Sequence, residues 1–224
     1  MIDWFPPTSS PDPAKGLARW QGAMHLRRVA RSMDARDAAG AGHSERVAEL
    51  AADIAAALGW TPQSVDDIRE AGHVHDVGKV SVPEAVLLTP GRLTPAEYDI
   101  VKVHAAVGAQ MAAAVLGRHQ VSWIRHHHER WDGRGYPDRL ADEEIPQGAQ
   151  VLAVADAWDA MRHRAFNGRP LDEAEALDEC RREAGHQFAP AVVAALEQAL
   201  ERRAAEPRIP SPRHAPHVAM TAAV

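Results

Sequence analysis

The sequence predicts an all-α fold, a bundle of about seven or eight helices. Alanine-rich stretches place apolar residues three and four positions apart, the spacing that lines one face of a helix. Alternating β-branched runs, which a half-buried strand would show, are almost absent. Thr61-Pro62, Thr94-Pro95 and Ala189-Pro190 supply the punctuation, each putting proline in a first helical turn, where its missing N–H is harmless.

Prolines crowd both ends of the chain, at Pro6, Pro7, Pro11 and Pro13 and again at Pro207, Pro210, Pro212 and Pro216. Residues 1–13 therefore read as an irregular arm, 14–205 as one helical domain and 206–224 as a proline-rich, disordered tail. The first stripe runs Leu17–Met33. Val47, Leu50, Ala51, Ile54 and Leu58 form the second, closed by Gly59. Further stripes follow at Ser64–His75 and Thr94–Leu116. Arg130 to Pro146 breaks the pattern with Trp131, Gly133, Gly135, Tyr136 and Pro137, and an irregular segment of that length in a compact domain is expected to be functional. Helical periodicity resumes at Gln147–Met161, Asp172–Ala184 and Ala189–Arg203.

The net charge of −6, with no block of five like charges, argues against nucleic-acid polymers and against an electrostatic membrane patch. Cys180 is the single cysteine, which excludes an intramolecular disulfide and a thiolate metal site and fits a reducing compartment. Met1 to Pro13 has neither a basic n-region nor an apolar h-region, and no run of 18 apolar residues occurs, so a soluble, cytoplasmic protein is expected.

Thirteen histidines outnumber phenylalanine, tyrosine and methionine combined, which directs attention to metal chemistry. His75-Asp76 ends a stripe just before Gly78; adjacent residues point about 100° apart on a regular helix, so the pair can serve one ion only at a terminal or distorted turn. His43 opens a helix, His104 lies inside an alanine-rich one, and His126-His127-His128 precedes the glycine-rich loop. Asp156 interrupts Val151-Leu152-Ala153-Val154-Ala155, a position expensive for a carboxylate unless it is paired or metal-bound. Imidazole and carboxylate without thiolate suit Fe, Mn, Zn or Ni. A pair of such ions inside a helical bundle points to phosphoester hydrolysis.

Several stretches together resemble the HD-GYP branch of the HD phosphohydrolase superfamily. They are His43-Ser44-Glu45-Arg46-Val47, His75-Asp76-Val77-Gly78-Lys79, Pro90-Gly91-Arg92-Leu93-Thr94, and Lys102-Val103-His104 with Gly108. The resemblance continues through His127 to Pro137 and ends with Ala155-Asp156-Ala157-Trp158-Asp159-Ala160. It implies an HD-domain helical bundle and a metal-dependent phosphodiesterase that opens cyclic di-GMP to linear pGpG through a hydroxide bridging two divalent ions, Fe or Mn. By position it implies His43, His75, Asp76, His104, His127, His128 and Asp156 as metal ligands, with Asp76 bridging. Lys79 would meet the charge on the scissile phosphate, and Gly135, Tyr136 and Pro137 would lie beside the substrate, with Arg130 and Asp132 holding their loop.

Two departures shape the expectation. Ala39 occupies the position where some relatives place a glutamate for a third ion, so two ions are expected. Ala165 and Gly168 replace basic residues with which the family grips the dinucleotide, which admits another cyclic or linear nucleotide as substrate. A rival reading is a signalling module that docks a diguanylate cyclase or another signalling protein through the 130–146 loop. Only about 15–40 residues precede the family-like core, so regulation is expected from a partner, from expression level or from self-association, for instance a homodimer through the stripe of Leu17–Met33. His73 is expected in the core, and His126 against water or an acceptor next to the ligands.

Overall fold

The computed structural model describes residues 13–36, 40–89, 91–164 and 169–205. The expectations for the terminal tail, for Ala39, for Pro90 and for the 165–168 segment, and all but Pro13 of the N-terminal arm, lie outside the described residues. Nine α-helices occur within them: α1 (Pro13–Asp34), α2 (His43–Ala57), α3 (Pro62–Val74), α4 (Glu84–Leu87), α5 (Pro95–Ala112), α6 (Arg118–His126), α7 (Gln147–His163), α8 (Glu173–Arg182) and α9 (Pro190–Ala205). Short 3-10 turns cover Val77–Ser81 and Asp142–Glu144, and no strand forms among the described residues. The fold is all-α, and none of its described helices is long and apolar enough to cross a membrane.

The seven stripes read from the sequence are all helices; α4 and α6 are additional. α6 escaped because its nine residues bury only Gln120 and Ile124, too few to set a period. Its start is fixed by Gln120, whose Oε1 accepts from the Gly117 amide at 2.8 Å while its Nε2 donates to the Asp67 carbonyl at 3.0 Å. The Thr-Pro signals act as their chemistry dictates. Thr94 Oγ1 accepts from the Glu97 amide and the Glu97 carboxylate accepts from the Thr94 amide at 2.8 Å, a reciprocal capping box.

α2 is the central element, packed on α3, α7 and α9. Its buried face carries Val47, Ala48, Leu50, Ala51, Ala52, Ile54 and Ala55. The alanines let neighbours approach closely: a Cβ on Gly72 of α3 would sit 2.7 Å from Cα of Ala48. Ile68, Ile124, Leu152 and Leu196 fill the space between α3, α6, α7 and α9 without solvent exposure. Small residues at these crossings therefore shorten the distance between helices, and that distance brings side chains from five helices or their ends to one point.

Candidate metal centre

Each polar outlier of the sequence sits at a helix end or faces the bundle interior. His43 is the first residue of α2, a helix whose N-cap, Gly42, has no side chain to offer. Asp34, from the end of α1, takes over the cap: its carboxylate accepts from the Ser44 amide at 2.9 Å and from the Ser44 hydroxyl at 2.8 Å. His75 caps the C-terminus of α3, and Asp76 follows with φ −96°, outside the helical region. This break turns the two adjacent side chains toward one centre, as the sequence required. The reason is not freedom of φ at Gly78, however. A Cβ there would stand 2.0 Å from the His104 carbonyl oxygen, so Gly78 is needed for close approach of the 3-10 turn to α5.

His43, His75, His104 and His127 are all buried. Nδ1 of His75, His104 and His127 donates to the carbonyl three residues earlier, at 2.8, 2.7 and 2.7 Å respectively. Nδ1 of His43 donates instead to Asp159 Oδ2 at 2.7 Å. A carbonyl can only accept, so in His75, His104 and His127 a proton is fixed on Nδ1 and Nε2 is turned inward. Nε2 of His43, His75 and His127 has no hydrogen-bond partner although fully buried. An inward lone pair left without a donor is the arrangement a cation satisfies.

Asp76 stands between two groups. Its Oδ2 lies 3.6 Å from His43 Nε2 and 3.5 Å from His75 Nε2, while its Oδ1 lies 3.2 Å from His104 Nε2 and 3.9 Å from His127 Nε2. His43, His75 and Asp76 form one potential ligand set, and Asp76, His104, His127 and His128 form the other. His128 Nε2 is 3.2 Å from His104 Nε2, close enough to share a proton or to face one cation. Asp156, from α7, joins the first group with Oδ1 3.3 Å from His43 Nε2. Lys79 Nζ lies 2.6 Å from Asp76 Oδ2. The residues also fit divalent ions chemically, since imidazole and carboxylate donors are offered with no thiolate.

Burial alone would raise the Asp76 carboxyl, but Lys79, His75, His104 and His43 hold it well below the usual carboxylate range. Asp156 is likewise held down against burial, chiefly by His43. Burial lowers His43 too, yet the nearby carboxylates of Asp156, Asp159 and Asp76 outweigh it and push the metal-free imidazole up to about 12, so without an ion its Nε2 also carries a proton. His127 has burial and the neighbouring His75 and His104 against its charge and falls to about 3.

A pH prediction follows for metal-free protein. His127 folds with a pKa of about 3 against 6.5 when unfolded, so below 6.5 the unfolded chain takes up a proton that the folded chain refuses. Stability contributed by this group is full above 6.5 and declines as pH falls toward 3, whereas the contribution from His43 changes only above 6.5. Urea unfolding in chelator should lose up to about 1.4 kcal/mol per pH unit below that value. A flat profile would contradict the buried, neutral state of His127.

Sequence reasoning named no role for Asp34 or Asp159. Asp159 is buried; besides its bond to His43 it accepts from Arg46 Nε at 2.6 Å and Arg46 Nη2 at 3.0 Å. Its place three residues after Asp156 on α7 was the only available cue. Asp159→Asn should weaken Mn binding by roughly 10–100-fold, read by metal titration, because a neutral amide holds the His43 ring less firmly. Unchanged affinity would remove Asp159 from the positioning of His43.

The Gly135–Pro137 loop closes one side. Tyr136 stacks on His128, with ring centroids 4.9 Å apart and planes 30° from parallel, and burial pushes its phenol pKa up. A Cβ on Gly135 would lie 2.5 Å from Cα of Glu129, so this turn is pressed against the chain behind it. Arg130 grips Asp132 through Nη2 at 2.8 Å and Gln187 through Nη1 at 2.9 Å, the bracing role expected of it. His126 meets Asp138 at 2.8 Å, and His73 is buried with its ring 3.6 Å from Glu45. Trp131 packs against the apolar core.

A family model described as an HD domain matches residues 28–192. A Thermotoga maritima protein named cyclic di-GMP phosphodiesterase is 39% identical over 163 residues, covering 69% of this chain and 43% of the relative. A Vibrio cholerae protein named 3'3'-cGAMP-specific phosphodiesterase 2 is 31% identical over 175 residues, covering 75% of this chain and 33% of the relative. The chain thus spans less than half the length of these relatives. Among solved structures, that of a cyclic GMP-AMP-specific phosphodiesterase of V. cholerae superposes with TM-score 0.63 at 18% identity, covering 80% of this chain and 48% of the other, which is a likeness of fold.

Proposed function

The chain belongs to the HD domain family, and on that premise we propose that it is a metal-dependent phosphodiesterase that hydrolyses cyclic di-GMP to the linear dinucleotide pGpG. The observation that carries the reading is the convergence of three buried, unpartnered Nε2 atoms on Asp76 and Asp156, each ring locked from behind through Nδ1. Two divalent ions, Fe or Mn, would be held by His43, His75, Asp76 and Asp156 on one side and by Asp76, His104, His127 and His128 on the other, with Asp76 shared. When bound, such ions activate water and neutralise phosphoryl charge.

The protein's own groups do the remaining work. Lys79 presents an ammonium at the Asp76 carboxylate, where a scissile phosphate would bring added negative charge. Gly135, Tyr136 and Pro137 form the wall against which a nucleotide lies, and the Arg130–Asp132 pair keeps that wall in place. The buried thiol of the single Cys180, its pKa pushed up to about 12 by burial, is consistent with action in a reducing cytoplasm.

The test is the product profile of Mn- or Fe-reconstituted protein incubated separately with cyclic di-GMP and 3'3'-cGAMP. Linear pGpG as the main product supports the reading. Preferential opening of 3'3'-cGAMP would move the substrate to that of the V. cholerae relative, and no product from either, with metal bound, would overturn the assignment to cyclic dinucleotides.

A further inference from the structure

A cavity of about 690 Å³ opens between α5 and the loop that carries Tyr136, and the metal centre does not account for it. Tyr98 and Tyr136 line it edge to face, with ring centroids 6.1 Å apart. Tyr136 turns its other side to His128, so the cavity begins one aromatic ring away from the candidate metal ligands. Tyr98 is 46% exposed, a large aromatic surface left open to a ligand.

Neighbouring arginines are mostly neutralised by carboxylates. Arg125 is taken by Asp138, Arg130 by Asp132 and Arg169 by Glu175. Arg134 and Arg139 also line the cavity and are exposed, yet neither guanidinium lies within ion-pairing distance of a carboxylate among the described residues. Lys102 adds a third positive charge, its Nζ 4.6 Å from the Tyr98 ring centre while paired to Asp99. Arg139 holds φ at +57°, a conformation uncommon outside glycine. A strained backbone residue that carries a free cation into a cavity invites a functional explanation. By contrast, the Arg169–Arg182 surface on α8 pairs its arginines with Glu175, Asp178, Glu179 and Glu197, and so offers an anion no free partner.

Aromatic faces next to unpaired guanidiniums are complementary to a nucleotide, which presents a base for stacking and a phosphate for forked hydrogen bonds. A cyclic dinucleotide whose scissile phosphate lies at the metal centre necessarily carries a second base and a second phosphate. We infer that this cavity is the subsite for that non-scissile half, with the base against Tyr98 and the second phosphate between Arg134 and Arg139. The inference rests on the proposed cyclic-dinucleotide chemistry. It also supplies basic contacts from an element other than the segment around Ala165 and Gly168.

The test is equilibrium binding of a hydrolysis-resistant phosphorothioate analogue of cyclic di-GMP to the metal-loaded chain. Arg134→Ala combined with Arg139→Gly should weaken binding by about 10–100-fold, as expected for two charge-assisted contacts. Arg139→Gly relieves a positive φ, so the fold should persist, and an unchanged unfolding temperature verifies it. Arg134→Lys with Arg139→Lys should recover part of the affinity. Tyr98→Ala should weaken binding about tenfold and Tyr98→Phe little, since stacking needs only the ring. Wild-type affinity in the double variant would overturn the subsite while leaving the phosphodiesterase reading intact. Failure of the unaltered chain to bind the analogue would overturn both, and hydrolysis of bis(p-nitrophenyl) phosphate by that chain would then show whether the metal chemistry stands alone.

Discussion

Asp76→Ala is expected to lower cyclic di-GMP hydrolysis by roughly 10⁴-fold, the scale on which enzymes lose rate when a group at the reacting centre is removed. Asp76 alone belongs to both candidate ligand sets, Oδ2 facing His43 and His75 and Oδ1 facing His104 and His127. Its loss therefore breaks both at once, and metal content measured after purification should fall together with the rate. The fold should survive, because α2, α3, α7 and α9 pack through an apolar core that Asp76 does not join. A variant that kept more than about a tenth of the activity would remove Asp76 from the reaction, and one that kept its metal while losing activity would limit its role to the chemical step.

Gly78→Ala should be nearly as damaging by a different route. The added Cβ would lie 2.0 Å from the His104 carbonyl oxygen and 2.5 Å from the Gly108 amide nitrogen, both backbone atoms that no rotamer change can move. The 3-10 turn and α5 would have to separate, carrying Asp76 away from His104, now 3.2 Å from it. We expect a loss of about 3 kcal/mol in chemical denaturation, at the upper end for overpacked sites. Metal affinity should fall even under conditions where the variant remains folded. Gly16→Ala is the control: nothing lies within 4 Å of its added Cβ on the exposed first turns of α1, so its stability should be unchanged or raised by up to about 1 kcal/mol. Equal stabilities of the two variants would show that the turn yields at little cost.

Much of this was legible in the order of residues. Periodicity disclosed the long helices, since a helix that buries one face must repeat its apolar residues every three to four positions. Thr94 with Pro95 and Glu97 marked a helix start from local chemistry alone. The His75-Asp76 pair and Asp156 stood out because charge and imidazole in apolar surroundings demand an explanation. α6 was not legible, since its buried contribution is too small to leave a period.

Residue type and local spacing were enough to mark the side chains able to ligate a metal, in helices or at their ends, because neither needs knowledge of the rest of the chain. How they act together is a matter of packing between distant segments. Asp159 reaches His43 across 116 positions, and Asp34 caps α2 from the end of α1. The division of Asp76 between two groups depends on how near α5 comes to the turn after α3, a distance fixed by Gly78 against the His104 backbone. The cavity beside Tyr98 likewise depends on where one loop comes to rest. Contacts of this kind join residues remote in sequence through packing, and packing distances are set by the whole core, so no local pattern could have announced them.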